Sequence, residues 1–287
     1  MKEILVATDL SERSDRALRR ATLLARQFKA AILLVHIVDD DQPRRIADTE
    51  RDAATTLLRE MAATLRDVDG VTCETRVILA APFVGITQAV ADAKPDLLVI
   101  GPHRRQVLRD VFVGTTAERT IRSVECPVLM VNATPAGQYR HVLQTTDLSV
   151  PSRDGLQRFQ NLGLGKGGRN SLLYLFDAPA LRLVMAHTMP QDDQKKYVLD
   201  EQADAARELA AFSASAGLQD IRQLARYEAT AAQHEILKAA EEERADLIVM
   251  STNGRGGIAK MLIGSVTEQV LRNASVDVLA IPPRRQT

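Results

Sequence analysis

The feature that most constrains the fold of this chain is an internal repeat. Five short blocks recur in the same order in the two halves of the 287-residue sequence. Residues 4–11 match 142–149, 32–36 match 183–187, 95–100 match 245–250, 114–119 match 264–269, and 126–131 match 276–281. Such a repeat predicts two copies of one structural unit, and the length suits two domains. We place these domains at 1–134 and 138–287, joined by a short linker.

The spacing of the repeat predicts an insertion in the second half. The separation between Asp9 and Asp147 is smaller than the separation between His36 and His187, although an unbroken repeat would keep the two equal. We therefore predict an insertion near 160–172, which contains the glycine-rich run GLGKGGRN. This run does not match a P-loop, because a P-loop needs GxxxxGK followed by Ser or Thr, between a strand and a helix.

Hydrophobic periodicity predicts alternating strands and helices. In the first half, short apolar strands are predicted near 3–8, 31–37, 73–79, 96–101 and 127–132, with amphipathic helices between them. Strands that alternate with helices indicate βαβ units. The predicted fold class is therefore α/β, with two repeated doubly wound, Rossmann-like domains. Each is a five-stranded, mostly parallel sheet with helices on both faces. Ligands of such sheets bind at the carboxyl ends of the strands, where the strand order reverses.

Composition and charge disfavour several classes of protein. Lys plus Arg and Asp plus Glu number 37 each, so no net field attracts nucleic acid. The two cysteines, Cys73 and Cys126, belong to no CxxC motif, which disfavours a disulfide framework and a zinc site. No apolar run approaches the roughly 18 residues of a membrane span, and the N-terminus lacks signal-peptide features. We predict a cytoplasmic protein with no nucleic acid and no membrane partner.

One aspartate follows the first strand in each half. Asp9 and Asp147 stand directly after a buried strand, where a carboxylate can accept hydrogen bonds from a ribose or a base. A carboxylate there can equally cap the next helix, for which Ser11 is a plausible N-cap in the first half. Position alone supports both roles equally.

One loop follows the fourth strand in each half, and the two loops have the same spacing. The first loop contains Gly101-Pro102-His103-Arg104, nine further residues, and Gly114-Thr115. The second contains Ser251-Thr252-Asn253-Gly254, nine further residues that include Gly257, and Gly264-Ser265. Glycine lets the backbone approach a phosphate, and a helix start offers free N–H groups to an anion. Ordinary turn chemistry is the alternative, but two loops of equal spacing favour phosphate binding.

These loops resemble the nucleotide motif of universal stress proteins, which is Gly-x-x-Gly, nine residues, then Gly-Ser/Thr. The strand-end aspartates and the strand that ends in Val35-His36 add to the resemblance. It covers nearly the whole chain twice and so indicates a tandem universal stress protein. The resemblance implies an adenine nucleotide alpha hydrolase-like fold and pairing of the halves through their last strands. It also implies ATP or AMP in the cleft, with any Mg²⁺ bound through the nucleotide.

The resemblance also implies roles for individual residues. Asp9 and Asp147 would lie near the adenosine, and backbone groups of Ile37 and Thr188 would contact adenine. The residues implied near the phosphates are Gly101, His103, Arg104, Gly114 and Thr115 in the first half, and Ser251, Asn253, Gly254, Gly257, Gly264 and Ser265 in the second. No catalytic residue and no protein-held metal site are predicted.

Each loop departs from the motif at one glycine. Arg104 replaces the second glycine of the first loop, where its bulk opposes close backbone approach, although its guanidinium can pair with a phosphate. Ser251 replaces the first glycine of the second loop, which keeps the glycine-rich run that begins at Asn253. We therefore predict that the second half is the better nucleotide site.

Three functions compete. The leading hypothesis is a stress-response regulatory protein that binds an adenine nucleotide, with at most slow hydrolysis, because no residue is evidently placed to orient an attacking water. The second is a scaffold with degenerate clefts that acts through protein contacts. The third is an ATP-using adenylating enzyme, which the lack of a Ser-Gly-Gly loop after the first strand disfavours. We predict that the two last strands face each other within the chain, which would mimic a two-fold dimer. A homodimer and unidentified protein partners stay open.

Overall fold

The computed structural model describes residues 1–102, 116–182, 190–252 and 263–283. The strands of the first half are β1 (Glu3–Thr8), β2 (Ala31–Val38), β3 (Cys73–Leu79), β4 (Leu97–Ile100) and β5 (Val128–Met130). Its helices are α1 (Glu12–Phe28), α2 (Arg44–Asp67), α3 (Pro82–Ala93) and α4 (Thr116–Ser123). All five strands predicted for this half are confirmed.

The second half repeats this order with one additional short helix among the described residues. Its strands are β6 (His141–Thr146), β7 (Arg169–Phe176), β8 (Arg222–Tyr227), β9 (Leu247–Ser251) and β10 (Asp277–Ile281). Its helices are α5 (Val150–Leu162), α6 (Pro179–Arg182), α7 (Gln191–Ser215), α8 (Ala232–Glu242) and α9 (Ser265–Asn273).

The ten strands form one continuous sheet, in the order β3-β2-β1-β4-β5-β10-β9-β6-β7-β8. All strand pairs within a half are parallel, so each half is a doubly wound sheet of the predicted class. The halves join where β5 pairs antiparallel with β10, which confirms the predicted pairing of the last strands. Leu129 lies opposite Leu279, its own counterpart in the repeat, so a pseudo-twofold axis passes between them.

The match of residues 32–36 with 183–187 predicted the wrong position for the second strand of the second half. Thr8 pairs with His36, and Thr146 pairs with Tyr174, so the first two strands are equally spaced in both halves. The second strand is therefore β7 and not residues 183–187, which lie outside the described residues. The insertion predicted near 160–172 was wrong for the same reason, since only a short turn links α5 to β7. This turn holds the glycine-rich run, and α5 has 13 residues where α1 has 17.

Most of the additional residues of the second half lie after β7. His36 pairs with Val77, and its counterpart Tyr174 pairs with Ala225. More residues separate Tyr174 from Ala225 than separate His36 from Val77. The extra chain therefore separates β7 from β8, in the region that contains α6. As a result, counterparts in the two halves are further apart in the sequence from α8 onward than they are up to β7.

Helices cover both faces of the sheet. On one face, α3, α4, α8 and α9 bury apolar residues such as Ile86, Ile121 and Ile236 against the strands. On the other face, α1, α2 and α5 bury residues such as Leu24 and Leu58, and α7 packs against β7. Because both faces are covered, the central strands consist almost entirely of buried Val, Leu and Ile. None of the helices within the described ranges combines the length and apolarity needed to cross a membrane.

A buried polar network fastens the two halves together. The Asp277 carboxylate at the start of β10 is fully buried and accepts hydrogen bonds from Arg20 Nε of α1, at 3.1 Å, and from the Tyr139 hydroxyl, at 2.7 Å. It also accepts the backbone amides of Asn132 and Ala133, each at 3.0 Å. Burial raises the pKa of Asp277, while the Tyr139 hydrogen bond and the Arg20 charge oppose that rise. The network joins α1, β10 and the segment 131–140, which we call the connector.

A second set of contacts follows the pseudo-twofold axis. Arg272 of α9 donates to Glu118 of α4 at 2.7 Å, and Arg122 of α4 lies 3.3 Å from Glu268 of α9. The two ion pairs are equivalent under the pseudo-twofold symmetry. Arg122 is the counterpart of Arg272, and Glu118 is the counterpart of Glu268. They bind the halves on the face opposite the connector.

We expect Asp277→Ala to lower the free energy of unfolding by about 3–5 kcal/mol, because it leaves the buried Arg20 guanidinium without its carboxylate. Urea denaturation followed by circular dichroism measures this loss. Arg51→Ala is the control, since Arg51 forms exposed ion pairs with Asp48 and Asp52 and should cost less than about 1 kcal/mol. Equal losses in the two variants would contradict a structural role for the network.

Candidate functional site

A cavity of about 540 Å³ lies at the carboxyl ends of β1 and β4 in the first half. The strand order reverses between these two strands, which is where doubly wound sheets bind their ligands. Asp9, Ile37 and Gly101, three of the residues implied by the sequence, all line this cavity. The fold thus brings together residues from three different strand ends.

A tight turn after β1 forms one wall of the cavity. Leu10 adopts the left-handed conformation, with φ of 60°, and its amide donates to Thr8 Oγ1 at 3.0 Å. Asp9 Oδ1 accepts both the amide and the hydroxyl of Ser11, at 3.1 and 2.5 Å. Ser11 is the N-cap of α1, as predicted. Asp9 therefore orders the start of α1 while its carboxylate stays exposed at the cavity.

The environment of Asp9 keeps its carboxyl ionised. Partial burial raises the pKa of Asp9, but hydrogen bonds from the Ser11 hydroxyl and amide and from Ser14, with the charge of Arg13, outweigh that effect. The net pKa lies below the ordinary value of 3.8. Asp9 is therefore a fixed negative acceptor at neutral pH and a weak proton acceptor.

The second half builds the same turn after β6. Leu148 has a φ of 63°, and its amide donates to Thr146 Oγ1 at 3.0 Å. Asp147 Oδ1 accepts the amide and the hydroxyl of Ser149 at 3.1 and 2.6 Å. A left-handed leucine costs about 1–2 kcal/mol, so these hydrogen bonds offset strain in both copies. Strain of this kind is typical of functional sites.

The floor of the first-half cavity is apolar. Ile37, Ile86 and Ile100 line it from β2, α3 and β4. Gly85 allows α3 to lie close to this floor, since a Cβ atom there would be 2.7 Å from the Ile37 side chain. Such a surface suits a flat apolar group such as a base.

Several polar residues that the sequence did not identify also line the cavity, among them Arg13, Thr116 and Thr120. Arg13 lines it from the first turn of α1, and Thr116 opens α4, whose first-turn amides carry the positive end of the helix dipole. The Thr120 hydroxyl is fully buried in the cavity wall and has no hydrogen-bond partner among the described residues. An unpaired buried hydroxyl costs about 1–3 kcal/mol. Of these residues, only Arg13 could have been indicated by the sequence, because it lies near Asp9 in the chain.

Packing requires a glycine at position 101. A Cβ atom at Gly101 would lie 3.0 Å from the Arg13 carbonyl oxygen, so glycine lets α1 approach the end of β4. In the second half, Ser251 takes this position, and Gly155 of α5 provides the space. A Cβ atom at Gly155 would overlap with Ser251 Oγ, and the counterpart of Gly155 in α1 is Ala17.

The described start of α9 is already bonded within the protein. The Gly264 amide donates to the Thr252 carbonyl at 2.9 Å, so this amide is not free for an anion, contrary to the expectation for the glycine. Its φ of −59° is also accessible to other residues. Ser265 begins α9, and Thr267 Oγ1 donates to the Ser251 carbonyl at 3.2 Å.

Counterparts of the cavity residues differ in the second half. Glu235 of α8 stands where α3 has Gly85, and its buried carboxylate accepts bonds from Arg226 Nε and the Thr230 hydroxyl, each at 2.8 Å. Pro151 replaces Arg13, and Val270 replaces Thr120. Leu175, not Thr188, is the counterpart of Ile37. The described residues at this position of the second half therefore differ in chemistry from those that line the first-half cavity.

Eight of the implied site residues lie outside the described residues. They are His103, Arg104, Gly114, Thr115, Thr188, Asn253, Gly254 and Gly257. In the part of the chain that the structure describes, no group of three His, Cys, Asp or Glu residues could hold a metal ion.

Comparison with known proteins gives one consistent family. The family model of the universal stress protein family matches residues 1–132 and 138–282. Universal stress protein E of Escherichia coli (strain K12) is 25% identical over 301 residues, covering 98% of this chain and 94% of the relative. The structure of a universal stress protein from Archaeoglobus fulgidus DSM 4304 has a TM-score of 0.69 at 20% identity and covers 97% of each chain. A functionally unknown protein from Pseudomonas aeruginosa PAO1 has a TM-score of 0.64 at 20% identity, covering 99% of this chain and 93% of its own.

The contact between Ser251 and Gly155 predicts a double-mutant effect. Gly155→Ala alone should gain little stability, because its methyl group would clash with Ser251 Oγ. In a Ser251→Gly background, the same change should stabilise the chain by about 1 kcal/mol, since alanine forms helices better than glycine. Urea unfolding of the four variants measures the coupling. Identical effects of Gly155→Ala in both backgrounds would exclude the contact.

Proposed function

The chain belongs to the universal stress protein family, and on that premise we propose that it binds an adenine nucleotide, ATP or AMP, in the cavity of its first half. The observation that carries the proposal is the cavity itself. It lies where the strand order reverses and has an apolar floor and a polar wall. Its volume of about 540 Å³ is typical of small-molecule sites.

We assign each part of the nucleotide to a region of the cavity lining. The adenine ring would lie on the apolar floor at Ile37 and Ile86, and Asp9 would accept a hydrogen bond from a ribose hydroxyl. The phosphates would face the N-terminus of α4 at Thr116, where backbone amides and the helix dipole favour an anion. Arg13 would add a charge-assisted hydrogen bond. Any Mg²⁺ would be bound through the phosphates.

The same cavity supports binding more than catalysis. Asp9 is the one carboxylate among the described residues that line it, and its low pKa makes it a weak general base. We therefore propose a regulatory role in which nucleotide occupancy alters the conformation or contacts of the chain. A role in the stress response follows from the family alone.

A matched pair of variants locates the site. Asp9→Ala and Asp147→Ala break equivalent turns, so they should affect folding similarly. We expect Asp9→Ala to weaken ATP binding about ten-fold or more, the effect of losing a hydrogen bond to a charged group, and Asp147→Ala to leave it within about two-fold. Isothermal titration calorimetry of nucleotide-stripped protein with ATP and Mg²⁺ measures both.

The opposite ranking would place the nucleotide in the second half, as the loop sequences predict. No ATP binding by the unaltered chain at millimolar concentration would remove the nucleotide proposal. The scaffold hypothesis would then be favoured.

Arg13 provides a separate test of the phosphate position. Arg13→Ala should weaken ATP binding about ten-fold or more, because a charge-assisted bond to phosphate contributes about 1.5–3 kcal/mol. Adenosine, which has no phosphate, should bind both proteins with similar affinity. If ATP and adenosine lost affinity equally, Arg13 would not face the phosphates.

A further inference from the structure

The ten-stranded sheet ends in two edge strands, β3 and β8, which are counterparts in the repeat. At the two ends of β3, Thr72 bonds to β2 through its carbonyl and Ala80 through its amide, at 2.9 and 3.0 Å. Backbone groups alternate in direction along a strand, so the even-numbered residues of β3 bond to β2 and the odd-numbered ones point away from it. The amides and carbonyls of Thr75 and Val77 therefore point outward from the sheet.

The outward backbone groups of β3 are open. Residues 1–102 are described without a gap, and within the described ranges no hydrogen bond occupies the amides or carbonyls of Thr75 and Val77. The side chains of Glu74 and Leu79 are exposed at the same edge. An open edge of this kind is a template for pairing with another strand.

The counterpart edge at β8 is partly closed by its own chain. The Gln202 side chain of α7 donates to the Ala225 carbonyl at 3.1 Å, and the Ala229 amide donates to the Tyr227 carbonyl at 2.9 Å. Both carbonyls point outward, because the Glu228 amide bonds to β7 and the direction alternates. Proteins protect exposed sheet edges by covering them, and β3 lacks this protection.

The charges of β3 select one register for pairing with a second copy. In an antiparallel pair centred on Thr75, Glu74 of each copy lies opposite Arg76 of the other. The two Thr75 residues then form a hydrogen-bonded pair, and Cys73 of each copy forms another with Val77. Glu74 and Arg76 project from the same face and fall in the non-hydrogen-bonded pairs, where side chains lie closest. Two opposite-charge pairs therefore form at once.

We propose that β3 pairs antiparallel with β3 of a second copy, so that two chains form one continuous sheet. A pair centred on Glu74 or on Arg76 instead brings two like charges together, which is destabilising. A pair centred on Val77 places Arg76 opposite Ile78 and gains no charge pair. This interface is separate from the proposed nucleotide site, because no residue of β3 lines that cavity.

Arg76 has the capacity for this second partner. Its Nη1 lies 3.3 Å from Asp92 of α3, and its side chain is 41% exposed. A guanidinium carries five N–H donors, so the contact with Asp92 leaves donors for Glu74 of the second copy. In β8, Arg222 and Leu224 stand at the positions of Glu74 and Arg76, so the same register would pair no opposite charges there.

Charge reversal tests the pairing and its register. Glu74→Arg places arginine opposite arginine, and Arg76→Glu places glutamate opposite glutamate. Each variant alone should raise the dissociation constant of the dimer about ten-fold or more, measured by sedimentation equilibrium. An equimolar mixture of the two variants restores both opposite-charge pairs, so it should form a heterodimer with a dissociation constant within about three-fold of the unaltered value.

A pair of proline variants tests the backbone edge separately from the charges. Thr75→Pro removes an outward amide and keeps the bonds to β2, so the chain should fold and the dimer should be lost. Gln223→Pro is the matched control, because Gln223 is the counterpart of Thr75 in β8, and it should leave the dimer unchanged. Circular dichroism checks the folding of both variants.

Three results would overturn the proposal. The first is an unaltered chain that stays monomeric up to about 1 mM. The second is a mixture of Glu74→Arg and Arg76→Glu that associates no better than either variant alone. The third is an equal effect of Thr75→Pro and Gln223→Pro on a dimer that the unaltered chain forms, because that dimer would then use another surface.

Discussion

The antiparallel pairing of β5 with β10 is the interaction on which the rest of the structure depends. β5 is only three residues long, and its side chains are buried on both faces of the sheet. Without this pairing, β5 and β10 would each be an apolar sheet edge with unpaired backbone groups, which proteins avoid. The pairing removes two edges and makes one sheet of ten strands. The pairing is antiparallel, so the strands of the second half run in the opposite direction. The carboxyl ends of the two sets of strands therefore point to opposite sides of the sheet.

This reversal explains why the molecule is symmetric in some places and not in others. The ion pairs between α4 and α9 lie near the pseudo-twofold axis and occur as two equivalent contacts. The connector links β5 to β6 and is present once in the chain. It therefore lies on one side of the pseudo-twofold axis and has no equivalent on the other. The network of Arg20, Tyr139 and Asp277 is therefore needed once.

The sequence predicted the fold well because its buried strands are continuous apolar runs at repeated spacing. It failed at residues 183–187, where a run of apolar residues before a histidine resembled the end of β2. A short apolar run carries no information on register, and β7 ends in Tyr174-Leu175-Phe176 without a histidine. In the site, Asp9 and Gly101 could be identified because they follow strands directly, and Ile37 because it follows the histidine of β2. Thr120 could not, because α4 brings it to the cavity only through tertiary packing.

The motif glycines are less informative about the ligand than their positions suggest. Gly101 is needed for the approach of α1, and the second half meets the same packing requirement with Ser251 and Gly155 exchanged across the contact. Loss of that glycine is therefore compatible with an intact backbone at the strand end and does not itself indicate loss of binding. Among the described residues, further chemical differences between the halves lie at positions outside the motif. Glu235 places a buried carboxylate where Gly85 leaves an apolar floor, and Val270 removes the hydroxyl that Thr120 provides. A duplicated cleft can thus keep its architecture while its helices change what it accepts.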